Sequence, residues 1–167
     1  MGLARPCPAC SIRHEKQQTS RSTEDPLSDE QIKRMHDILD IQKLKAIYCA
    51  EVDDSMLDPA HARTRLPDIF VEDAIADYEY GLLEGRAAIV DYLVIYVGET
   101  ADLLWHSIHT PLIEVDGDSA TGRWTVFVRV RNKGADTIDT FIGRYFDEFR
   151  RTADGWRISS VRWVTTG

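Results

Sequence analysis

The sequence predicts an α+β fold on three observations. Apolar residues recur at helical spacing from Ile32 to Val52. From Leu104 to Val130, two runs rich in Ile, Val, Trp and Phe flank a tight Asp116-Gly117-Asp118 turn, a short-range β-hairpin signal. Two further strand-like runs, Ile138 to Arg150 and Trp156 to Val164, are joined by Asp154-Gly155. Helices first and then a succession of antiparallel strands is the order of an α+β domain.

Before the first helix, residues 1–26 are polar and carry Pro6, Pro8 and Pro26, the composition of a flexible tail. Cys7 and Cys10 with His14 beyond offer three metal ligands where a closed structural zinc site needs four, so no metal is expected there. Residues 27–167 form the single predicted domain, long enough for a full core. Ser28-Asp29-Glu30-Gln31 has the spacing of a capping box. The helix it opens runs to about Met56, with Ile32, Met35, Leu39, Ile41, Leu44, Ile47, Tyr48 and Val52 on its apolar side. Asp53 and Asp54 fall at its C-terminal end, where the helix dipole disfavours carboxylates. Local rules are broken most often at functional sites, which singles this pair out. A short helix over Ala60 to Phe70, broken near Pro67, should follow, then a strand over Ala74 to Tyr80 and a helix from Gly85 to Leu93 that ends at Val97-Gly98.

In the central hairpin, Trp124, Val126, Val128 and Val130 point one way and Arg123, Thr125, Arg129 and Arg131 the other. Pairing sets His106 opposite about Val128, on the apolar face with Ile108 and Thr110 if no bulge intervenes. His109 has the opposite parity and reads as surface or interface. Along Ile138 to Arg150, Gly143, Tyr145, Asp147 and Phe149 share one face, and Ile142, Arg144 and Phe146 the other. Asp147, buried by parity, is expected to pair with an arginine.

Composition excludes several classes. A net charge of −8 with 29% charged residues argues against nucleic acid and anionic membranes as partners. No run approaches the ~18 apolar residues of a membrane span, and the N-terminus lacks an apolar signal core. Three cysteines form no disulfide framework and suit a reducing cytoplasm.

Several spacings form a recognisable set: Ile41-x-x-Leu44-Lys45-x-x-Tyr48-x-x-x-x-Asp53, Phe70-x-x-Asp73-Ala74 and Gly85-Arg86-x-x-Ile89. To these add His106-x-x-x-Thr110-Pro111-x-Ile113-x-Val115-x-Gly117-Asp118-x-Ala120, Gly143-Arg144-Tyr145-x-Asp147-Glu148-Phe149 and Asp154-Gly155-Trp156-Arg157-Ile158. In this order they resemble the SnoaL-like members of the nuclear-transport-factor-2-like superfamily over roughly residues 30 to 165. The resemblance implies a cone-shaped, cystatin-like α+β barrel, in which a strongly curved antiparallel sheet wraps around the N-terminal helices and leaves an apolar pocket. Scytalone dehydratase, bile acid 7α-dehydratase and hexachlorocyclohexane dehydrochlorinase, of the same superfamily, use an Asp–His pair in that pocket. Asp53 and His106 occupy the matching positions, and the Tyr-x-x-x-x-Asp spacing of the bile acid enzyme recurs as Tyr48 and Asp53. The resemblance also implies a homo-oligomer, with a trimer favoured over a dimer.

An imidazole near its ordinary pKa of about 6.5 accepts a proton at neutral pH. A carboxylate on one ring nitrogen fixes the tautomer and leaves the other nitrogen as a general base. The implied chemistry is abstraction of a proton next to a carbonyl, then loss of water or isomerisation, in a dry pocket that takes a small apolar substrate and needs no cofactor. Catalytic candidates are therefore His106, Asp53 and Tyr48. Candidate substrate contacts are Tyr78, Trp124, Val128 and Arg162. Plainer readings stand beside them: His106 as a satisfied core histidine, Tyr48 as a structural residue, Trp124 and Trp156 as core, Arg162 as solvent-facing. Two other functions fit the same fold, a non-catalytic small subunit of an aromatic-ring dioxygenase and a polyketide cyclase or ligand-binding protein.

Overall fold

The computed structural model describes residues 26–166. The expected tail, with Cys7, Cys10 and His14, lies outside the described residues apart from Pro26. Ser28 caps helix α1 (Asp29–Asp54) through both halves of the expected box: its hydroxyl accepts the Gln31 N–H at 3.2 Å, and Gln31 Oε1 accepts the Ser28 N–H at 2.8 Å. Ile41, Leu44, Tyr48 and Val52 are buried as expected, Ile47 is half-buried, and Cys49 joins the buried side. The N-terminal half departs from the expected stripe, since Ile32, Met35 and Leu39 are exposed and Asp37 is the buried position there. An ion-pair network turns that half of the helix. Asp37 accepts from Arg151 at 2.8 Å, from Trp156 Nε1 at 3.2 Å and from Lys33 at 3.1 Å, and Arg151 lies over the Trp156 ring.

Helix α2 (Pro59–Arg65) and a 3₁₀ turn (Leu66–Ile69) occupy the predicted short helix, divided near Pro67. Strand β1 (Phe70–Asp77) begins earlier and ends earlier than the sequence pattern suggests. Tyr78 to Gly81 turn instead of extending, with Glu79 at φ 66° and Gly81 at φ 125°. Strand β2 (Leu82–Glu84) has no sequence forecast, being three residues long and largely exposed. Helix α3 (Arg86–Asp91) widens into a π-helical turn (Tyr92–Gly98), which leaves Tyr96 exposed while Ile89 and Leu93 stay buried. Strands β3 (Ala101–Asp116), β4 (Ser119–Asn132), β5 (Asp139–Thr152) and β6 (Gly155–Thr165) follow.

The six strands form one curved, unclosed sheet in the order β2-β1-β6-β5-β4-β3. Four of the pairings are antiparallel, and β1 runs parallel to β6. His106 pairs with Val128, the expected register. In β6 the register slips: Phe149 faces Ile158 and Glu148 faces Ser160, so Ser159 is an extra residue. Trp156 and Ile158 face inward before the slip and Val161 and Trp163 after it. No helix among the described residues is long and apolar enough to cross a membrane.

The end of α1 is set by a close approach. Ser55, fully buried, donates its hydroxyl to the Val52 carbonyl at 2.6 Å and lies directly under Gly98. A Cβ at Gly98 would sit 2.9 Å from Ser55 Cβ, so only glycine lets the π turn rest there. Gly98→Ala should therefore cost about 1–3 kcal/mol in urea unfolding, as overpacking does. Asp37→Ala should cost about 2–4 kcal/mol, because it leaves Trp156 Nε1 without its acceptor and Arg151 with only Asp118 and the Gly117 carbonyl. Hydrogen bonds from Arg151, against an opposing burial effect, hold the Asp37 carboxyl well below the usual carboxylate range. A depressed folded-state pKa stabilises above the unfolded value, so the advantage over Asp37→Asn should be full above about pH 5 and shrink as acid titrates the carboxyl. Urea midpoints of the two proteins across pH test this.

Candidate active site

Asp53 is the second-last residue of α1, at the end where the helix dipole opposes a carboxylate. Its compensation comes from one residue on β3. Oδ2 accepts the backbone N–H of His106 at 2.9 Å, and Oδ1 lies 2.5 Å from His106 Nδ1. The imidazole is thus gripped at both its backbone and its ring, and its side chain is 5% exposed. With Nδ1 donating to the carboxylate, the lone pair resides on Nε2. Nε2 faces Tyr145, whose hydroxyl oxygen is 3.4 Å away.

Nε2 also faces a cavity of about 710 Å³ bounded by α1, the π turn and β3 to β6. Its walls are largely aromatic. The Tyr48 and Tyr78 hydroxyls are 3.1 Å apart, Tyr78 stacks on Tyr92 with ring centroids 5.2 Å apart, and Tyr92 stacks on Tyr96 at 5.8 Å. Tyr80 and Tyr96, both exposed, mark the mouth. Among the described residues, no lysine or arginine lines the cavity. Its rim carboxylate, Glu79, accepts the Thr165 N–H at 3.0 Å and the Thr165 hydroxyl at 2.6 Å. Burial pushes the phenols of Tyr48, Tyr78 and Tyr145 above their ordinary value, so at neutral pH they are hydrogen-bond donors rather than phenolates. Burial likewise pushes the Cys49 thiol up to about 12, which leaves it an inert core residue.

The structure brings His106, Asp53, Tyr48, Tyr78 and Val128 together around this space. Two expected substrate contacts lie elsewhere. Trp124 is core, four residues along β4 from Val128 and away from the cavity lining. Strict alternation along β6 would aim Arg162 inward. The extra residue at Ser159 reverses that parity, and the guanidinium lies over Phe146 on the convex face. Asp147 pairs with Lys45 rather than with an arginine. His109 is exposed against the edge of Phe127, the surface position its parity implies.

Tyr145 and Lys45 were missed as site residues, although signals for both existed. Tyr145 shares the inward face with Asp147 and pairs in register with Trp124. Lys45 stands between Ile41 and Cys49 on the buried stripe of α1, where a lysine is out of place. Among the described residues, no group of three or more His, Cys, Asp or Glu side chains is placed to hold a metal.

Solved structures share this architecture. An NTF2-like protein with a cystatin-like fold from Novosphingobium aromaticivorans superposes with a TM-score of 0.69 over 85% of this chain and 91% of its own, at 23% identity. The hexachlorocyclohexane dehydrochlorinase LinA-type3 from Novosphingobium barchaimii LL02 gives 0.71 over 81% and 90%, at 20% identity. An uncharacterized Mycobacterium tuberculosis protein is 30% identical over 137 residues, 81% of this chain and 88% of that one. Residues 33–162 match the family model of the SnoaL-like domain, and the chain belongs to that family.

Proposed function

We propose that the chain is a cofactor-free lyase or isomerase that removes a proton next to a carbonyl in a small apolar substrate. One observation carries this reading: both oxygens of Asp53 are committed to His106, and the opposite ring nitrogen faces an aromatic cavity. Nε2 takes the proton from the carbon beside the carbonyl, and the electron pair moves onto the carbonyl oxygen as an enolate. Asp53 stabilises the imidazolium that forms. Tyr145 and Tyr48 are placed to donate to the enolate oxygen in largely aromatic surroundings, where such bonds are strong. Collapse of the enolate then expels a group from the next carbon, with the imidazolium protonating a departing hydroxide, or returns the proton to another carbon. The first course is elimination and the second isomerisation.

The dehydrochlorinase named above supports the elimination course by fold alone. The same reading places the protein in the cytoplasm as a homo-oligomer. It draws on the free, buried Cys49 and on the exposed Trp105, Leu112, Phe127 and Ile142 of the sheet.

The test is deuterium exchange next to the carbonyl of 2-tetralone in D₂O, followed by NMR, which needs no knowledge of the natural substrate. The wild-type protein should accelerate exchange, and His106→Ala should lower that acceleration by roughly 10²–10⁴, the usual worth of a positioned base. Asp53→Asn should be impaired as well, because an amide nitrogen facing Nδ1 inverts the tautomer and puts the proton on Nε2. Tyr145→Phe should cost about 10²-fold if its hydroxyl holds the oxyanion. Folded variants that exchange as fast as the wild type would remove the dyad. A wild-type protein that binds the ketone without exchange would be a ligand carrier.

A further inference from the structure

Beneath the cavity lies a charged pair that this chemistry does not use. Lys45 on α1 and Asp147 on β5 are both buried, with Nζ 2.9 Å from Oδ2. The pair is buried with the Trp124 indole N–H beside the same carboxylate. The ammonium also faces aromatic rings, 3.7 Å from the Tyr145 centroid and 4.2 Å from that of Tyr48. These are the two phenols that line the cavity nearest the base, Tyr145 with its hydroxyl beside His106 Nε2 and Tyr48 with its hydroxyl against Tyr78.

Stability does not explain such a pair. Desolvating two ions costs several kcal/mol each, and well-packed apolar side chains of similar volume often stabilise as much or more. Electrostatics gives it a use. A cation on the face of a phenol withdraws electron density from the ring and makes its O–H a stronger donor. A fixed pair also needs no reorganisation when negative charge develops nearby.

We propose that Lys45, with Asp147 as its counter-ion, is a positioning residue that strengthens the Tyr145 and Tyr48 hydroxyls as donors to an oxyanion in the cavity. The inference rests on the proposed lyase or isomerase only in placing an enolate oxygen there, and its test needs no turnover.

The probe is 4-nitrophenol, whose absorbance distinguishes phenol from phenolate. It is titrated at a fixed neutral pH into full-length protein carrying His106→Gln, so that no imidazole can take its proton. The bound probe should be richer in phenolate than the free probe. Adding Lys45→Met with Asp147→Leu, which replaces the pair by apolar groups of similar size, should reduce the preference for phenolate over phenol about tenfold, one pKa unit. Binding of the uncharged 4-nitroanisole should stay within about twofold, since that ligand senses only cavity shape. When both Tyr145→Phe and Tyr48→Phe are present, the pair replacement should have no further effect, because Lys45 acts through those hydroxyls. If the apolar pair fails to fold, Asp147→Asn retains the ammonium and should keep or raise the phenolate preference. A wild-type pair that confers no phenolate preference, a preference that survives its replacement, or a fall in Asp147→Asn would each overturn the proposal. These outcomes are independent of whether His106→Ala retains exchange of the ketone.

Discussion

The candidate site depends on the grip of Asp53 on His106. The two residues are joined by a backbone and a side-chain contact at 2.9 and 2.5 Å, across fifty-three positions of sequence. The contact ties the end of α1 to β3, fixes which ring nitrogen carries a proton, and offsets the dipole penalty at the helix terminus. Hydrogen bonds to a charged group are worth about 1.5–3 kcal/mol, enough to outweigh a helix-end penalty of about 0.3–1 kcal/mol. The approach of Gly98 to Ser55 supports the grip from behind by setting where α1 stops.

Around that contact the cavity is polarised, and among the described residues its one acidic lining side chain is Glu79 at the rim. Its donors are phenols that burial keeps protonated, its candidate base is an imidazole, and its rim carboxylate is engaged by Thr165. Among the described residues no lysine or arginine enters the lining, and Lys45 is separated from the cavity by two rings. This suits charge that appears during a reaction better than charge already present on a ligand, for which a lining arginine would be the ordinary solution.

Much of this was legible in the sequence, for physical reasons. The capping box, the Asp-Gly-Asp turn and the alternation of β4 are local signals, and each element formed where its chemistry demanded. Pairing register then set His106 against Val128, and the site partner Asp53 was found by the resemblance and by its awkward place on the helix. What failed depended on non-local events. One extra residue in β6 turned Arg162 outward, and the Asp37–Arg151 network rotated the start of α1 away from its apolar stripe. The three-residue β2 carries too little pattern to read, and the widening of α3 into a π turn has no signature in spacing. Tyr145 and Lys45 were on the correct faces and escaped notice because burial alone does not say what a side chain touches.

Among the described residues β3 is the last strand of an unclosed sheet, so its outer backbone groups have no neighbouring described strand to bind. The His106 amide is one of these, and Asp53 occupies it. The carboxylate that steers the imidazole is therefore also a stopper, denying a second chain one rung of an otherwise inviting ladder. At this edge one side chain both holds the candidate base and covers a backbone donor, so a change at Asp53 alters the two together.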